Sequence, residues 1–199
     1  SDSCLQLYST LLLYSGLNAS SSTPLPKFND EVIFFNTASD ATFNSTNAIV
    51  DSTLYLSYDN NDLRKTIFFK KDAAGLPRLF GRYSASTIAI FDGLAVDEMY
   101  MVRSETSARL GNFKNSISDL NLLLKTRWKS GTFVPYVATN SDEALSLVLR
   151  ERRKELCFRG LRWSDLRRLN KEPHFEVTLK RVLGEQTYLL QANDSRYVY

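Results

Sequence analysis

Apolar residues recur at intervals of three and four along the second half of the chain, which is the spacing of an amphipathic helix. One such run extends from Phe91 to Gly111, and another starts at Phe113 and continues through Leu124. Glycine often follows the last residue of a helix, so Gly111 predicts a turn between the two runs. We therefore predict an antiparallel helical hairpin over residues 91–128.

The turn of this hairpin resembles that of a tetratricopeptide repeat. The segment Ala-Arg-Leu-Gly-Asn-Phe occupies positions 108–113, and Ile117 follows it. A single repeat of this kind cannot bury both of its faces, because such units are stabilised by stacked neighbours. We therefore expect further helical repeats in sequence that precedes this chain.

Two more helices are predicted after the hairpin. Ser141 is a potential N-cap, and Asp142 and Glu143 favour the first turn of a helix over residues 142–159. Gly160 ends that helix, and a shorter one follows through Leu169. Together these helices span residues 142–170.

The first half of the chain has weaker patterns. A short helix is predicted over residues 4–17 and a buried strand over 31–35, while 18–27 and 36–51 are polar and predict loops. Residues 54–58 and 65–70 predict short extended pieces, and no element is assigned after residue 171. The predicted fold class is mainly α, a tetratricopeptide-like hairpin with further helices, long irregular loops and little β structure.

Composition narrows the possible functions. The chain has 199 residues, of which 43% are hydrophobic, so we predict a single domain over residues 1–199. Its net charge of +3 comes from interleaved basic and acidic residues, which argues against a nucleic-acid partner. The apolar runs are much shorter than the roughly 20 residues that cross a bilayer. Cys4 and Cys157 are interpreted as ordinary free thiols.

Charged residues of both signs follow the apolar stripe of the third helix. Glu151 and Glu155 are one helical turn apart and are surrounded by arginines, so we expect partly buried, paired charges. General acid and base catalysis needs two carboxyl groups with separated pKa values, whereas nearby arginines keep both ionised. We interpret the pair as structural and predict no catalytic residue. His174, the single histidine, follows Pro173 and has no cysteine or second histidine nearby, so no metal site or cofactor is predicted.

Residues 151–168 read Glu-Arg-Arg-x-Glu-Leu-x-Phe-x-Gly-x-Arg-Trp-x-Asp-Leu-Arg-Arg, a pattern that resembles the C-terminal signature of the SusD/RagB family. Segments 98–105, 58–64 and 29–34 also resemble family segments, in the same order. The structural signature residues are then Glu151, Arg152, Glu155, Arg162, Trp163, Asp165 and Arg167.

The resemblance implies the C-terminal part of a SusD-like α/α fold and a non-catalytic role in nutrient uptake. Family members are lipoproteins on the outer surface of the cell outer membrane, where they deliver oligosaccharides to a SusC-type TonB-dependent transporter. The lipid anchor would lie in a missing N-terminal part. A peptide-binding RagB-type subunit and a helical-repeat scaffold for proteins are the alternatives.

Sugar recognition needs an aromatic platform for the ring and polar groups for its hydroxyls, often on loops. Two loop clusters have these residue types. The first consists of Phe43, Asn44 and Asn47, and the second of Trp128 and Tyr136. Both are candidate ligand-binding positions.

Overall fold

The computed structural model describes residues 1–39 and 49–197. The chain forms two compact units, Ser1–Cys157 and Phe158–Tyr199. The mainly α prediction is confirmed, since the long elements are helices and the strands are short and paired in twos. The prediction of a single domain over residues 1–199 stays a prediction.

The helical hairpin forms the centre of the first unit. Its helices are α4 (Val96–Arg109) and α5 (Phe113–Lys125), and Gly111 adopts a φ of 83° between them. That left-handed conformation is accessible to glycine at no steric cost, which explains the tight turn. The Ser104 hydroxyl donates to the Ser116 carbonyl over 2.7 Å, so small side chains let the helices approach closely.

Helix α4 begins five residues later than the apolar pattern predicts. Ala89–Phe91 and Leu94–Ala95 are strands, because each pairs with an antiparallel partner earlier in the chain. Phe91 and Ala95 are therefore buried within paired strands, while Leu94 is exposed, and Asp97 is the first acidic residue of the helix.

Helix α6 (Ser141–Glu155) packs against both α4 and α5. Its N-cap is Asn140 and not the predicted Ser141, since the Asn140 side chain accepts a hydrogen bond from the Glu143 backbone N–H over 2.9 Å. The three helices bury an apolar core that includes Met101, Leu120, Leu123, Leu124, Ala144 and Val148.

The part of the first unit before α4 is built from short elements. The helices are α1 (Asp2–Leu7), α2 (Ser52–Leu56) and α3 (Arg64–Phe68), and the strands are β1 (Val32–Phe34), β2 (Thr37–Ser39), β3 (Phe69–Lys71), β4 (Pro77–Leu79), β5 (Ala89–Phe91) and β6 (Leu94–Ala95). The sheets pair β1 with β6, β2 with β5 and β3 with β4, each antiparallel.

Several local predictions for this region differ from the structure. The strand predicted as buried over 31–35 is β1, whose residues are half-buried or exposed. The predicted helix over 4–17 is reduced to α1 and a 3₁₀ turn at Tyr14–Gly16. Residues 54–58 and 65–70, predicted as extended, lie largely in α2 and α3. The Asp51 side chain caps helix α2, because it accepts a hydrogen bond from the Thr53 N–H over 2.9 Å. This cap outweighs the preference of the aromatic residues in the segment for a strand.

The second unit holds α7 (Arg162–Leu169), a hairpin of β7 (Leu179–Leu183) and β8 (Gln186–Leu190), and a 3₁₀ turn at Ser195–Tyr197. The hairpin was not predicted, although Gly184 and Glu185 between two apolar runs are a signal for a two-residue turn. Across residues 1–39 and 49–197, no helix has both the length and the apolar character that a membrane crossing requires.

Candidate functional site

Seven ionisable side chains meet in the interior of the first unit. We call them the buried charge cluster: Glu31, Asp62, Arg64, Arg127, Glu151, Lys154 and Glu155. They come from the segment before β1, from the start of α3, from the end of α5 and from the last turns of α6. Ion pairs of this depth are stable only when the geometry satisfies both partners.

Arg64 lies at one centre of the cluster. Its guanidinium contacts Asp62 and Glu151, each at 2.7 Å. A further nitrogen, Nη1, donates to Glu155 over 2.9 Å. All five N–H groups of arginine lie in one plane, and here three carboxylates accept hydrogen bonds from them.

Arg127 is the second centre. Its Nε donates to Glu155 Oε1 over 2.7 Å, and its Nη2 lies 2.9 Å from Glu31 Oε1. The remaining nitrogen, Nη1, donates to the Leu12 carbonyl over 2.9 Å. Glu155 therefore bridges the two arginines, with one carboxylate oxygen for each.

The pKa values of the carboxyl groups differ across the cluster. Burial raises the pKa of Glu151, but the attraction of Arg64 and Lys154 outweighs burial and leaves the pKa below its ordinary value. The pKa of Asp62 is lowered in the same way by Arg64. Burial raises the pKa of Glu31 to about 7, although Arg127 and the Tyr83 hydroxyl act in the opposite direction. As the pH falls, Glu31 is therefore the first of these three carboxyl groups to take up a proton.

The cluster can hold distant segments together, but it is closed to substrates. The side chains of Arg64, Arg127, Glu151 and Glu155 are fully buried. Their charges already have partners within hydrogen-bonding distance, so none is available to a ligand from solvent. In the described part of the chain, no group of three or more histidine, cysteine or acidic residues has the arrangement of a metal site.

The signature residues lie in both units. Glu151 and Glu155 belong to the buried charge cluster, and Arg152 of the same helix is also buried. In the second unit, Asp165 accepts hydrogen bonds from Arg168 at 3.0 and 2.9 Å. The remaining signature positions of that unit are Arg162, Trp163 and Arg167, all in α7.

Trp163 and Arg167 both contact the end of the described chain. The Trp163 ring stacks on Tyr197, with centroids 4.8 Å apart and an interplanar angle of 22°. The Arg167 Nε donates to the Tyr197 carbonyl over 2.9 Å. These contacts hold the last described residues of the second unit against α7.

The loop between α5 and α6 brings Trp128 and Tyr136 into one aromatic group. Phe133 lies between them, with its ring centroid 5.7 Å from Trp128 and 6.4 Å from Tyr136. The Asn121 side chain bonds both the N–H and the C=O of Tyr136, at 2.8 and 2.9 Å. The Tyr136 hydroxyl donates to Glu151 over 3.1 Å. Phe43, Asn44 and Asn47, the other predicted ligand positions, lie outside the described residues.

Five cluster members were not identified from the sequence: Glu31, Asp62, Arg64, Arg127 and Lys154. Two of their contacts join residues far apart in the chain, Arg64–Glu151 at 87 positions and Glu31–Arg127 at 96. Local spacing contains no signal for such pairs. The available indication was that the charges of α6 lie on the face of its apolar stripe and therefore need partners elsewhere.

Two solved structures with a fold similar to this chain are SusD-type proteins. A SusD-like carbohydrate binding protein from Bacteroides vulgatus superposes with a TM-score of 0.61 and 20% identity, over 96% of this chain and 45% of that one. A SusD superfamily protein from Bacteroides fragilis gives a TM-score of 0.56 and 18% identity, over 83% and 46%. This chain thus spans about half the length of the structures that it matches.

Two comparisons of sequences were informative in different ways. A search of curated proteins gives no significant match, whereas a family profile does match. The sequence profile of the SusD family matches residues 96–197, which include α4 to α7 and the α6 side of the buried charge cluster. This match extends over more than half of the chain, and the chain therefore belongs to the SusD family.

Proposed function

We propose that this chain is part of a SusD-type protein that captures carbohydrate at the outer surface of the outer membrane and passes it to a SusC-type TonB-dependent transporter. The observation that carries the proposal is the family match over residues 96–197. The Bacteroides vulgatus protein of the same fold is described as carbohydrate binding. Fold likeness at 20% identity cannot name a ligand, so the carbohydrate class is part of the proposal.

The role that we propose is binding without catalysis. Glycosidases use two neighbouring carboxyl groups, and Glu151 and Glu155 are such a pair in this chain. Both are fully buried, and both form ion pairs with Arg64. A glycosidase acid needs a raised pKa and access to the glycosidic oxygen. The lowered pKa of Glu151 and its burial favour a structural role instead.

The proposed ligand contacts on the α5–α6 loop are Trp128 and Tyr136. Hydrogen bonds from Asn121 fix the backbone at Tyr136, so the aromatic group is positioned before any ligand arrives. Such preorganisation reduces the entropy that binding costs. Phe43, Asn44 and Asn47 are proposed as further contacts on sequence grounds alone.

Attachment to the membrane is proposed through a lipid on a part of the protein that precedes this chain. An anchored position on the cell surface would place the protein beside its transporter partner.

Isothermal titration of the full-length protein with plant, host and microbial oligosaccharides tests the proposal. We expect binding to one glycan class, with a dissociation constant in the millimolar to micromolar range. Binding to peptides together with silence towards every glycan would favour the peptide-uptake alternative. Binding to neither, with a protein partner instead, would favour the scaffold.

A further inference from the structure

Phe28 combines two unusual properties for a large apolar residue. Its side chain is 65% exposed, and its backbone adopts a φ of 56°, in the left-handed region. Bulky residues rarely adopt this conformation, which persists only where the surrounding structure enforces it. Strained positions of this kind are concentrated at ligand sites, so the turn at Phe28 has a property typical of functional surfaces.

The turn that holds Phe28 is fixed on its C-terminal side. The Asn29 carbonyl accepts from the Val32 N–H over 2.9 Å, and its side-chain oxygen accepts from the Glu31 N–H over 3.1 Å. Glu31 in turn belongs to the buried charge cluster. The strained residue therefore lies three positions from a fully buried carboxylate.

The Phe28 ring is also supported from behind by an aromatic row, which consists of Phe28, Phe35, Phe91 and Tyr83. Successive ring centroids lie 4.6, 5.8 and 5.5 Å apart. Phe91 and Tyr83 are buried, and the Tyr83 hydroxyl donates to Glu31. The row thus extends from solvent to the buried charge cluster, so the exposed ring has a rigid base.

Lys27 supplies a polar group that lies over the rings of Phe28 and Phe35. Its Nζ lies 5.0 Å from the ring centroids of both Phe28 and Phe35. The lysine is exposed, so its ammonium can donate to a group that approaches Phe28 from solvent. An aromatic face and an adjacent donor are together the chemistry that recognises a sugar ring, whose C–H face is apolar and whose edge has oxygen acceptors.

We propose that Phe28 is a sugar-binding position, where a pyranose ring packs on the exposed aromatic face and an oxygen at its edge accepts a hydrogen bond from Lys27. This inference rests on the proposed function and adds a specific site to it. The acceptor is either a hydroxyl of a neutral sugar or the carboxylate of a uronic acid.

Phe34 provides a matched control. It is also a phenylalanine and is 60% exposed, close to the value for Phe28. Phe34 directly precedes Phe35 at the end of β1, and adjacent side chains of an extended segment point to opposite sides. Loss of the Phe34 ring therefore removes a similar apolar area without altering the aromatic row.

Two variants of Phe28 separate binding from folding. Phe28→Ala removes the ring but retains a side chain in the left-handed conformation, whereas Phe28→Gly removes the ring and relieves the strain. The glycine variant is expected to melt no lower than the wild type. Both should bind sugar about tenfold more weakly, which corresponds to the loss of one aromatic contact of about 1.4 kcal/mol.

The test is isothermal titration of the full-length protein and its variants with maltoheptaose, xylohexaose and an oligogalacturonate. We expect Phe34→Ala to bind within twofold of the wild type. Lys27→Gln identifies the group that accepts the hydrogen bond from Lys27. If binding weakens about tenfold with oligogalacturonate alone, the acceptor is a carboxylate. If binding weakens by less, and with neutral sugars, the acceptor is a hydroxyl. Wild-type affinity in Phe28→Gly would overturn this inference and leave the proposed function intact. If the wild type binds none of these sugars and no other glycan, both are overturned.

Discussion

Arg64 donates from Nη1 to Glu155 Oε2 over 2.9 Å, although 91 positions separate the two residues in the chain. Both side chains are fully buried. The same carboxylate also bonds Arg127 over 2.7 Å. One side chain at the end of α6 therefore links the first residue of α3 to the segment just after α5, and its removal would leave two buried arginines short of negative charge.

Glu155→Ala is expected to lower the free energy of unfolding by ~3–5 kcal/mol, because it breaks a buried ion pair from one side only. The cost arises mainly from the uncompensated guanidinium groups of Arg64 and Arg127. Urea unfolding of the full-length protein, followed by circular dichroism, measures the change.

Glu176→Ala is the control for this substitution. Glu176 is an exposed glutamate, so its loss should change the free energy of unfolding by no more than about 0.5 kcal/mol. Equal effects of the two substitutions would show that the buried charge cluster does not stabilise the fold.

Stability should fall as the solution becomes acidic. The pKa values of Asp62 and Glu151 are lower in the folded protein than their ordinary values. A lowered folded pKa gives stability that is present above the unfolded pKa and is lost as the pH falls through the folded one. The unfolding midpoint should therefore decrease below about pH 4.5. The carboxyl group of Glu31 has the opposite effect on stability. Because its pKa in the folded protein is raised to about 7, its contribution to stability is present in acid and is lost as the pH rises through 7.

Urea midpoints measured between pH 3 and pH 6 test this behaviour. Asp62→Asn should unfold at lower urea concentration than the wild type at pH 6, because Arg64 loses a charge partner. Its midpoint should also depend less steeply on pH in acid, because one titrating group is gone. A variant with the same slope as the wild type would contradict the linkage.

The helices could be predicted because their signals are local. Periodic apolar residues and Gly111 are enough to identify α4 and α5, whose contacts with one another lie close in sequence. The start of α4 was misplaced, since Phe91 and Ala95 are buried in strands that pair with residues about 60 positions earlier. Periodicity alone cannot distinguish these two ways to bury an apolar residue.

The candidate sites show the same difference between local features, which could be predicted, and tertiary contacts, which could not. The helical spacing of Glu151 and Glu155 among arginines predicted an ion-pair network, but their partners Arg64 and Arg127 depend on tertiary contacts. Phe28 carried no sequence signal at all, because its exposure and its positive φ are properties of the folded turn. Backbone strain becomes visible only when the structure is known.

Gly93→Ala should destabilise the protein by about 1–3 kcal/mol, the usual cost of overpacking. A Cβ at this position would lie 2.1 Å from the Phe34 carbonyl oxygen and 2.8 Å from the Asn36 nitrogen. Both are backbone atoms, so the segment that follows β1 must move to make room. Thermal unfolding of the full-length protein measures the cost.

Gly16→Ala is the matched control for Gly93→Ala. A Cβ at Gly16 meets nothing within 4 Å, and its φ lies outside the left-handed region. We expect an unchanged or slightly higher melting temperature, since alanine reduces the entropy of the unfolded chain. A similar loss of stability in both variants would disprove the steric explanation.

Asp165→Ala should lower stability without a change in ligand preference. The Asp165 carboxylate is buried and accepts two hydrogen bonds from Arg168, at 3.0 and 2.9 Å. Loss of a charged hydrogen-bond acceptor costs about 1.5–3 kcal/mol. Ser164→Ala, at the adjacent exposed position of α7, should be close to neutral. Urea unfolding gives the stability of both variants, and titration with the preferred oligosaccharide gives their affinity. Normal stability together with lost binding in Asp165→Ala would contradict the structural role, because it would place this signature residue at the ligand.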